Sequence, residues 1–191
     1  MIYDLPTRLM IDGVEYAIRY DYRAILDICI AMSDSELSDE ERLLAALTIF
    51  YPEFNSMPLT SYEQAVEECL WFVNGGEYED SREKSPRLVD WEQDFAIICA
   101  PINRVVGKEI RSIPYDAETN TGGFHWWSFL SAYYEIGGDC TFAQVVGIRS
   151  KIARNQKLDK SEKDWLRRNR KLVDFKTKYT EHDESLIKQW T

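Results

Sequence analysis

Four helix-start signals recur along the chain, and each stands before apolar residues at helical spacing. Each has Ser, Thr or Asp at its first position and Glu or Gln three residues later: Ser38–Glu41, Thr60–Glu63, Thr141–Gln144 and Asp159–Glu162. In such a capping box the first side chain accepts a hydrogen bond from an early helical N–H, and the Glu or Gln reaches back to the N–H of the cap residue. The boxes therefore predict four helices with defined starting points.

Three further apolar periods predict three more helices. One follows Asp21, one runs from Asp90 to Gly107, and an aromatic one covers residues 124–134 and ends at a pair of glycines. Pro101 stands in the middle of the second of these. Because a proline ring clashes with the carbonyl four residues earlier, here that of Ile97, we expect a kink or break within a turn of it.

A β-hairpin is predicted near the N-terminus, where Asp12-Gly13 separates two short apolar runs. Asp-Gly between such runs is a strong signal for a two-residue hairpin turn. A hairpin is not stable alone in water, so it must pack on helices or pair with another chain. We expect it to be the only regular sheet, with Lys108–Thr121 forming an irregular connection.

These elements predict a mainly α protein, a compact bundle of six to seven helices with a small N-terminal β-hairpin at about residues 9–18. One domain is expected over residues 1–178, with an exposed linker at 77–88 and a mobile C-terminal tail at 179–191. The chain lacks about 18 consecutive apolar residues and a basic, apolar N-terminal signal. We therefore expect no membrane segment and a location in the cytoplasm.

The charge of the chain is divided unevenly. Residues 1–100 contain 21 acidic and 7 basic residues, whereas residues 101–191 contain 12 acidic and 16 basic residues. Within Arg149–Lys178 there are 12 bases and 4 acids. Such a molecule can steer a charged partner or associate with its own copies, acidic face to basic face, or the basic run can be only a solvated surface. The net charge of −10 argues against binding to nucleic acid.

No motif for catalysis, phosphate binding or metal binding is present. The four cysteines stand alone at positions 29, 69, 99 and 140, which predicts free thiols in a reducing compartment rather than a metal site. His125 lacks an evident orienting partner, so we interpret it as a core or interface residue. We expect no enzymatic activity, no cofactor and no bound metal.

His125-Trp126-Trp127 is the sharpest local feature of the sequence. On a helix, adjacent side chains point about 100° apart. Two arrangements are open. Both tryptophans can pack against the helix that starts after Asp90, or one can lie on a recognition surface, where large aromatics are also common.

Eight stretches follow one another along the chain in an informative order: the Asp12-Gly13 hairpin, Asp21–Arg23, Ile49–Pro52, Leu70–Gly76, Trp91–Ile98, His125–Phe129, Phe142–Ser150 and the basic helix after Asp159. This order resembles a family of tail-region proteins from siphophages and prophages of low-GC Gram-positive bacteria. Their genes usually lie just before the tape measure gene, where tail-assembly chaperones are encoded.

The resemblance implies a chaperone that coats the apolar, helical tape measure protein until tube subunits of the major tail protein displace it. Apolar grooves would receive amphipathic helices. The resemblance indicates partner-binding residues on the aromatic helix (Trp126, Trp127, Phe129 and Tyr133) and on the basic helix (Arg167, Arg168, Arg170 and Lys171). We expect one of the two tryptophans to be substantially exposed. The alternatives are a tail structural or connector component that stays in the virion, and an enzyme or host-takeover factor.

Overall fold

Seven α-helices and two small sheets form the parts of the chain that the computed structural model describes, residues 4–78 and 86–176. The predicted fold class is confirmed. Parts of the predicted linker, 79–85, and the whole predicted tail, 179–191, lie outside the described residues. In chain order the elements are β1 (Arg8–Ile11), β2 (Val14–Ala17), α1 (Tyr22–Met32), α2 (Asp39–Phe50), α3 (Tyr62–Val73), α4 (Trp91–Val106), β3 (Tyr115–Asp116), β4 (Thr121–Gly122), α5 (Trp126–Tyr134), α6 (Thr141–Ala153) and α7 (Lys160–Val173).

The N-terminal hairpin forms as predicted. Asp12 and Gly13 have φ values of 49° and 79°, the pair of positive angles that a type I′ turn between β1 and β2 needs. The backbone N–H of Asp12 donates to Oε1 of Gln64 on α3 at 2.7 Å, and the ring of Tyr16 meets that of Tyr51 edge-on. The hairpin is therefore stable because it packs on the helices.

A second hairpin, β3 with β4, lies inside the connection predicted to be irregular, so the expectation of a single sheet is wrong. Arg23 of α1 holds this connection, donating from Nη2 to the carbonyl oxygens of Ile110, Arg111 and Ile113. Its Nη1 pairs with the buried carboxylate of Asp21. The contacts of Nη2 join residues 87 to 90 positions apart, so no local pattern of the sequence predicts them.

Two of the four predicted capping boxes are confirmed. Ser38 and Glu41 bond reciprocally at the start of α2, and Asp159 and Glu162 do the same at the start of α7.

The other two helices start differently from the prediction. A 3-10 turn over Leu59–Ser61 leads into α3, and Ser61 is itself in the helical region with no side-chain cap, so Thr60 is not the extended residue that a cap requires. The cap of α6 is Cys140, one residue before the predicted Thr141, and its Sγ accepts from the N–H of Ala143. Which residue has the extended conformation of an N-cap therefore depends on the backbone conformation of the segment before each helix.

α4 continues as one helix through Pro101, so the predicted break does not occur. A proline inside a helix costs about 3 kcal/mol. Full burial of Ile98 and Ile102 offsets that cost, as does capping by Asp90 at the start and by Gly107, in the left-handed conformation, at the end. Tertiary packing therefore outweighs the local preference.

Aromatic rings join α1, α4 and α5 at the centre of the molecule. The rings of Tyr22 and Phe129 stack with centroids 5.2 Å apart, and Phe129 also stacks on Trp126 at the same distance. Phe95 of α4 also stacks on Tyr22, with ring centroids 6.1 Å apart. This stack fixes the position of α5 and thereby of the predicted binding residues.

A buried ion pair joins α4, α6 and the end of α7. The side chains of Arg149 and Asp94 are 3% and 1% exposed, with Nη1–Oδ2 and Nη2–Oδ1 distances of 2.5 and 3.0 Å. The guanidinium also donates to the carbonyl oxygens of Leu88, Leu172 and Val173, so all five of its N–H groups have partners. A buried charge is tolerated only when it is paired in this way.

We expect Asp94→Asn to lower the free energy of unfolding by about 3–5 kcal/mol, because it leaves the guanidinium of Arg149 buried without a counter-charge. The matched control is Glu15→Gln, which neutralises the exposed Arg8–Glu15 pair and should cost less than about 1 kcal/mol. Urea unfolding followed by circular dichroism measures both. Equal losses in the two variants would contradict the prediction.

Candidate partner-binding surfaces

The two tryptophans of α5 face the end of α3. The last carbonyls of a helix lack intrahelical partners, and the indole Nε1 groups supply them. Nε1 of Trp126 donates to the carbonyl of Val73 at 2.8 Å, and that of Trp127 donates to the carbonyl of Phe72 at 2.9 Å. Trp126 is buried and Trp127 is half-buried, so the expectation of a substantially exposed tryptophan is wrong.

The other two residues predicted on the aromatic helix also pack inward. Phe129 is fully buried. Tyr133 is half-buried between Trp91 and Phe142, and burial raises its pKa to about 12. The aromatic residue that α5 does present to solvent is Tyr134, which is 75% exposed. Sequence reasoning missed it because it follows Tyr133 directly, and only the packing of α5 decides which of the two faces outward.

A groove of about 510 Å³ runs between α5 and the end of α3, and we call it the α3–α5 groove. Its apolar lining comes from Leu5, Trp127, Leu130 and Tyr134, and its polar lining includes Asn74, Glu77, Ser128 and Ser131.

Gly75 and Gly76 allow α5 to approach the end of α3 this closely. Both have positive φ values, 74° and 93°, and end α3 as predicted. A Cβ at Gly75 would lie 3.2 Å from Cδ1 of Leu130, and one at Gly76 would lie 3.1 Å from Cη2 of Trp127. The glycine pair therefore serves both the helix end and the shape of the groove.

All four predicted residues of the basic helix lie on the exposed face of α7: Arg167, Arg168, Arg170 and Lys171. Arg167 and Arg170 pair with Asp164 and Asp174 on the same helix. The backbone leaves helical geometry at Asn169, whose side-chain amide donates to the carbonyl of Trp165. A side chain that enters the hydrogen-bond ladder is a known cause of such a kink.

A second groove, of about 390 Å³, lies between α6 and α7, and we call it the α6–α7 groove. Ile148, Gly147 and Trp165 line it on the apolar side. Lys151 and Arg168 also line it, and Lys151 pairs with Glu162. The structure thus separates the predicted residues into two places. Trp127 is the member of the aromatic set that lines the α3–α5 groove, and Arg168 is the member of the basic set that lines the α6–α7 groove.

His125 is a structural residue in the core, at the N-cap of α5. Its Nδ1 accepts from the N–H of Trp127 at 3.1 Å, so Nε2 carries the ring proton and donates to the carbonyl of Pro6 at 2.9 Å. Burial lowers the pKa of the imidazole. The neutral ring therefore ties the N-terminal segment to α5.

The four cysteines are free thiols, as predicted. Burial raises the pKa of Cys29 and Cys69 to about 12, which keeps both thiols protonated and unreactive at neutral pH. In the described part of the chain, no three His, Cys, Asp or Glu side chains are placed to hold a metal ion together. No helix within 4–78 and 86–176 has the length and apolar character needed to cross a membrane.

The described residues form a small helical protein that carries the α3–α5 and α6–α7 grooves and a strongly basic last helix. The family described as Bacteriophage Gp15 protein matches residues 1–119, which is more than half of the chain, so the chain belongs to this bacteriophage family. The match ends before α5, so all eight predicted partner-binding residues lie outside it. No curated protein and no solved structure matches the chain.

Acidification should destabilise the protein through His125. Because the folded state lowers the pKa of this residue below its ordinary value of 6.5, the unfolded chain binds more protons there. The contribution is therefore fully present above pH 6.5 and is lost as the pH falls from there through the lower pKa of the folded state. We expect wild type to lose about 1 kcal/mol more than His125→Asn between pH 7.5 and 5.5, measured by urea unfolding.

The variant is a matched control because an Asn side chain can still accept the N-cap hydrogen bond. It retains every carboxylate, including Asp27, whose pKa burial raises. Carboxylate titration therefore cancels in the comparison. The same pH dependence in both proteins would show that His125 titrates normally.

Proposed function

We propose that this phage protein is a tail-assembly chaperone that binds the tape measure protein in the host cytoplasm and has no enzymatic activity. Membership of a bacteriophage family supports the part of the proposal that assigns the protein to a phage. The resemblance to tail-region proteins encoded before the tape measure gene supports the finer role. The observation that carries the proposal is the α3–α5 groove, in which Leu5, Trp127, Leu130 and the exposed Tyr134 provide apolar surface among polar side chains.

The groove suits one face of an amphipathic helix. A helix of this kind inserts apolar side chains one turn apart into an apolar groove, while polar groups at the rim keep its other face in water. Leu5 and Tyr134, 48% and 75% exposed, are the side chains that such a helix would cover. A tape measure protein is long, helical and apolar, so it offers many such faces before the tube encloses it.

The basic face of α7 supports binding in a second way. Cations on an exposed helix speed the encounter with acidic segments of a partner. Release of the tape measure protein would follow when subunits of the major tail protein compete for the same apolar faces. Weak, exposed contacts suit such a transient complex better than a large buried interface.

We expect Tyr134→Ala to weaken binding to the tape measure protein by about 2 kcal/mol, or about thirtyfold, as for a typical aromatic hot spot. Folding should be unchanged, because an exposed side chain leaves no cavity. The readout is the soluble fraction of the tape measure protein on co-expression. The control is Leu59→Ala, which removes a 79% exposed side chain before α3, at the opposite end of that helix from the groove.

Two results would overturn the proposal. One is a soluble fraction with wild type that equals that of an empty vector. The other is an equal loss with Tyr134→Ala and Leu59→Ala. Mass spectrometry of purified particles tests the alternative, since a tail structural or connector component remains in the virion and a chaperone is absent from it.

A further inference from the structure

The acidic charge of the protein is concentrated around α2 and α3. Residues 34–78 contain ten acidic residues and one basic residue, Arg42. Eight of these acidic side chains are exposed: Glu36, Asp39, Glu40, Glu41, Glu53, Glu63, Glu67 and Glu77. We call this surface the acidic end.

The basic charge is concentrated around α7. Residues 150–176 contain ten basic and four acidic residues. Nine of the basic side chains are exposed: Arg154, Lys157, Lys160, Lys163, Arg167, Arg168, Arg170, Lys171 and Lys176. We call this surface the basic end, and it includes the rim of the α6–α7 groove.

The two ends are separated by the order in which the helices pack. α7 packs on α6, α6 on α4, α4 on α1, and α1 on α2. α1 and α4 therefore lie between α2 and the α6–α7 pair. Among residues 4–78 and 86–176, each ion pair of the acidic or basic end stays within that end, so the two ends can pair between molecules.

The surfaces are also complementary in polarity. On α2, Glu40, Leu44 and Thr48 are exposed one turn apart, which forms a stripe with an apolar residue at its centre. Leu44 is 51% exposed. The α6–α7 groove is lined by the apolar Ile148 and Trp165, by Lys151 paired with Glu162, and by the exposed cation of Arg168.

We propose that copies of this protein associate head to tail. The exposed stripe of α2 on one copy lies in the α6–α7 groove of the next, with Leu44 on the apolar side chains of the groove and Glu36 and Glu40 beside the cations. Because the two surfaces differ, the contact is heterologous and repeats into an open chain or a ring. It leaves the α3–α5 groove uncovered. If the proposed chaperone function holds, a row of copies presents one such groove per copy along a long helical partner.

Self-association of the purified protein, without any tape measure protein, tests this. In sedimentation velocity at about 0.05 M salt, the average mass should rise with concentration above the 22.4 kDa of one chain. At about 0.5 M salt it should return to that of the monomer, because the charges are screened.

Two variants remove one surface each. In the basic-end variant, Arg167, Arg168 and Lys171 are changed to Gln, and in the acidic-end variant Glu36, Glu40 and Leu44 are changed to Gln. Each alone should associate about tenfold more weakly, as expected for the loss of several exposed pairs. Because all six side chains are exposed, circular dichroism and thermal unfolding should match wild type.

An equimolar mixture of the two variants gives the sharpest result. Each variant retains the surface that the other lacks, so the mixture should form a complex of two chains that grows no further. The matched control changes Arg8, Arg104 and Lys108 to Gln, which removes three exposed cations outside the basic end. That control should associate within about twofold of wild type.

Three results would overturn the proposal. The first is a wild-type protein that stays monomeric at about 0.2 mM and low salt. The second is an equal loss in the control variant. The third is a mixture of variants that does not associate, which would mean that the acidic and basic ends do not meet. None of these results depends on the tape measure protein, so failure here leaves the proposed function intact.

Discussion

The paired charge of Arg149 determines how the C-terminal helices attach to the rest of the protein. Its five donors engage Asp94 of α4 and three main-chain carbonyls, while Phe175 lies over the guanidinium at 4.2 Å. The buried apolar cluster between α6 and α7 is small and centres on Val145, Ile148 and Val173. A polar network that is fully satisfied specifies one arrangement, because any shift leaves a buried group unpaired. The buried cation of Arg149, directly before the basic end in the chain, thus holds that end in place.

The aromatic side chains of α5 mainly stabilise the fold. Trp126 and Trp127 complete the hydrogen bonding at the end of α3, and Phe129 belongs to the central ring stack. Trp127 also lines the α3–α5 groove, beside Leu130 and Tyr134. The His125-Trp126-Trp127 motif therefore supports the proposed binding surface by packing against α3, and Tyr134 is the exposed contact of that surface.

The two grooves differ in the side chains that line them, and we propose a different partner for each. The α3–α5 groove combines apolar side chains with polar ones and is the proposed site for a helix of the tape measure protein. The α6–α7 groove is bordered by cations and is the proposed site for the acidic surface of another copy. Exposed charge pairs are individually weak and are screened by salt. An assembly held by them can be dismantled when stronger contacts form.

The sequence alone determined the features whose causes are local. The Asp12-Gly13 turn, the boxes at Ser38 and Asp159, and the glycine ends of α3 and α4 form as predicted, because each depends on a few neighbouring residues and their φ values. Tertiary structure decided the rest. Tertiary contacts keep α4 helical through Pro101, and the cap of α6 is Cys140 rather than Thr141. They also place the β3–β4 connection against Arg23 and pair Arg149 with Asp94, 55 residues earlier. Tertiary structure also decided that Tyr134 rather than Trp127 faces the solvent, since exposure depends on which neighbours a helix meets and no local pattern records them.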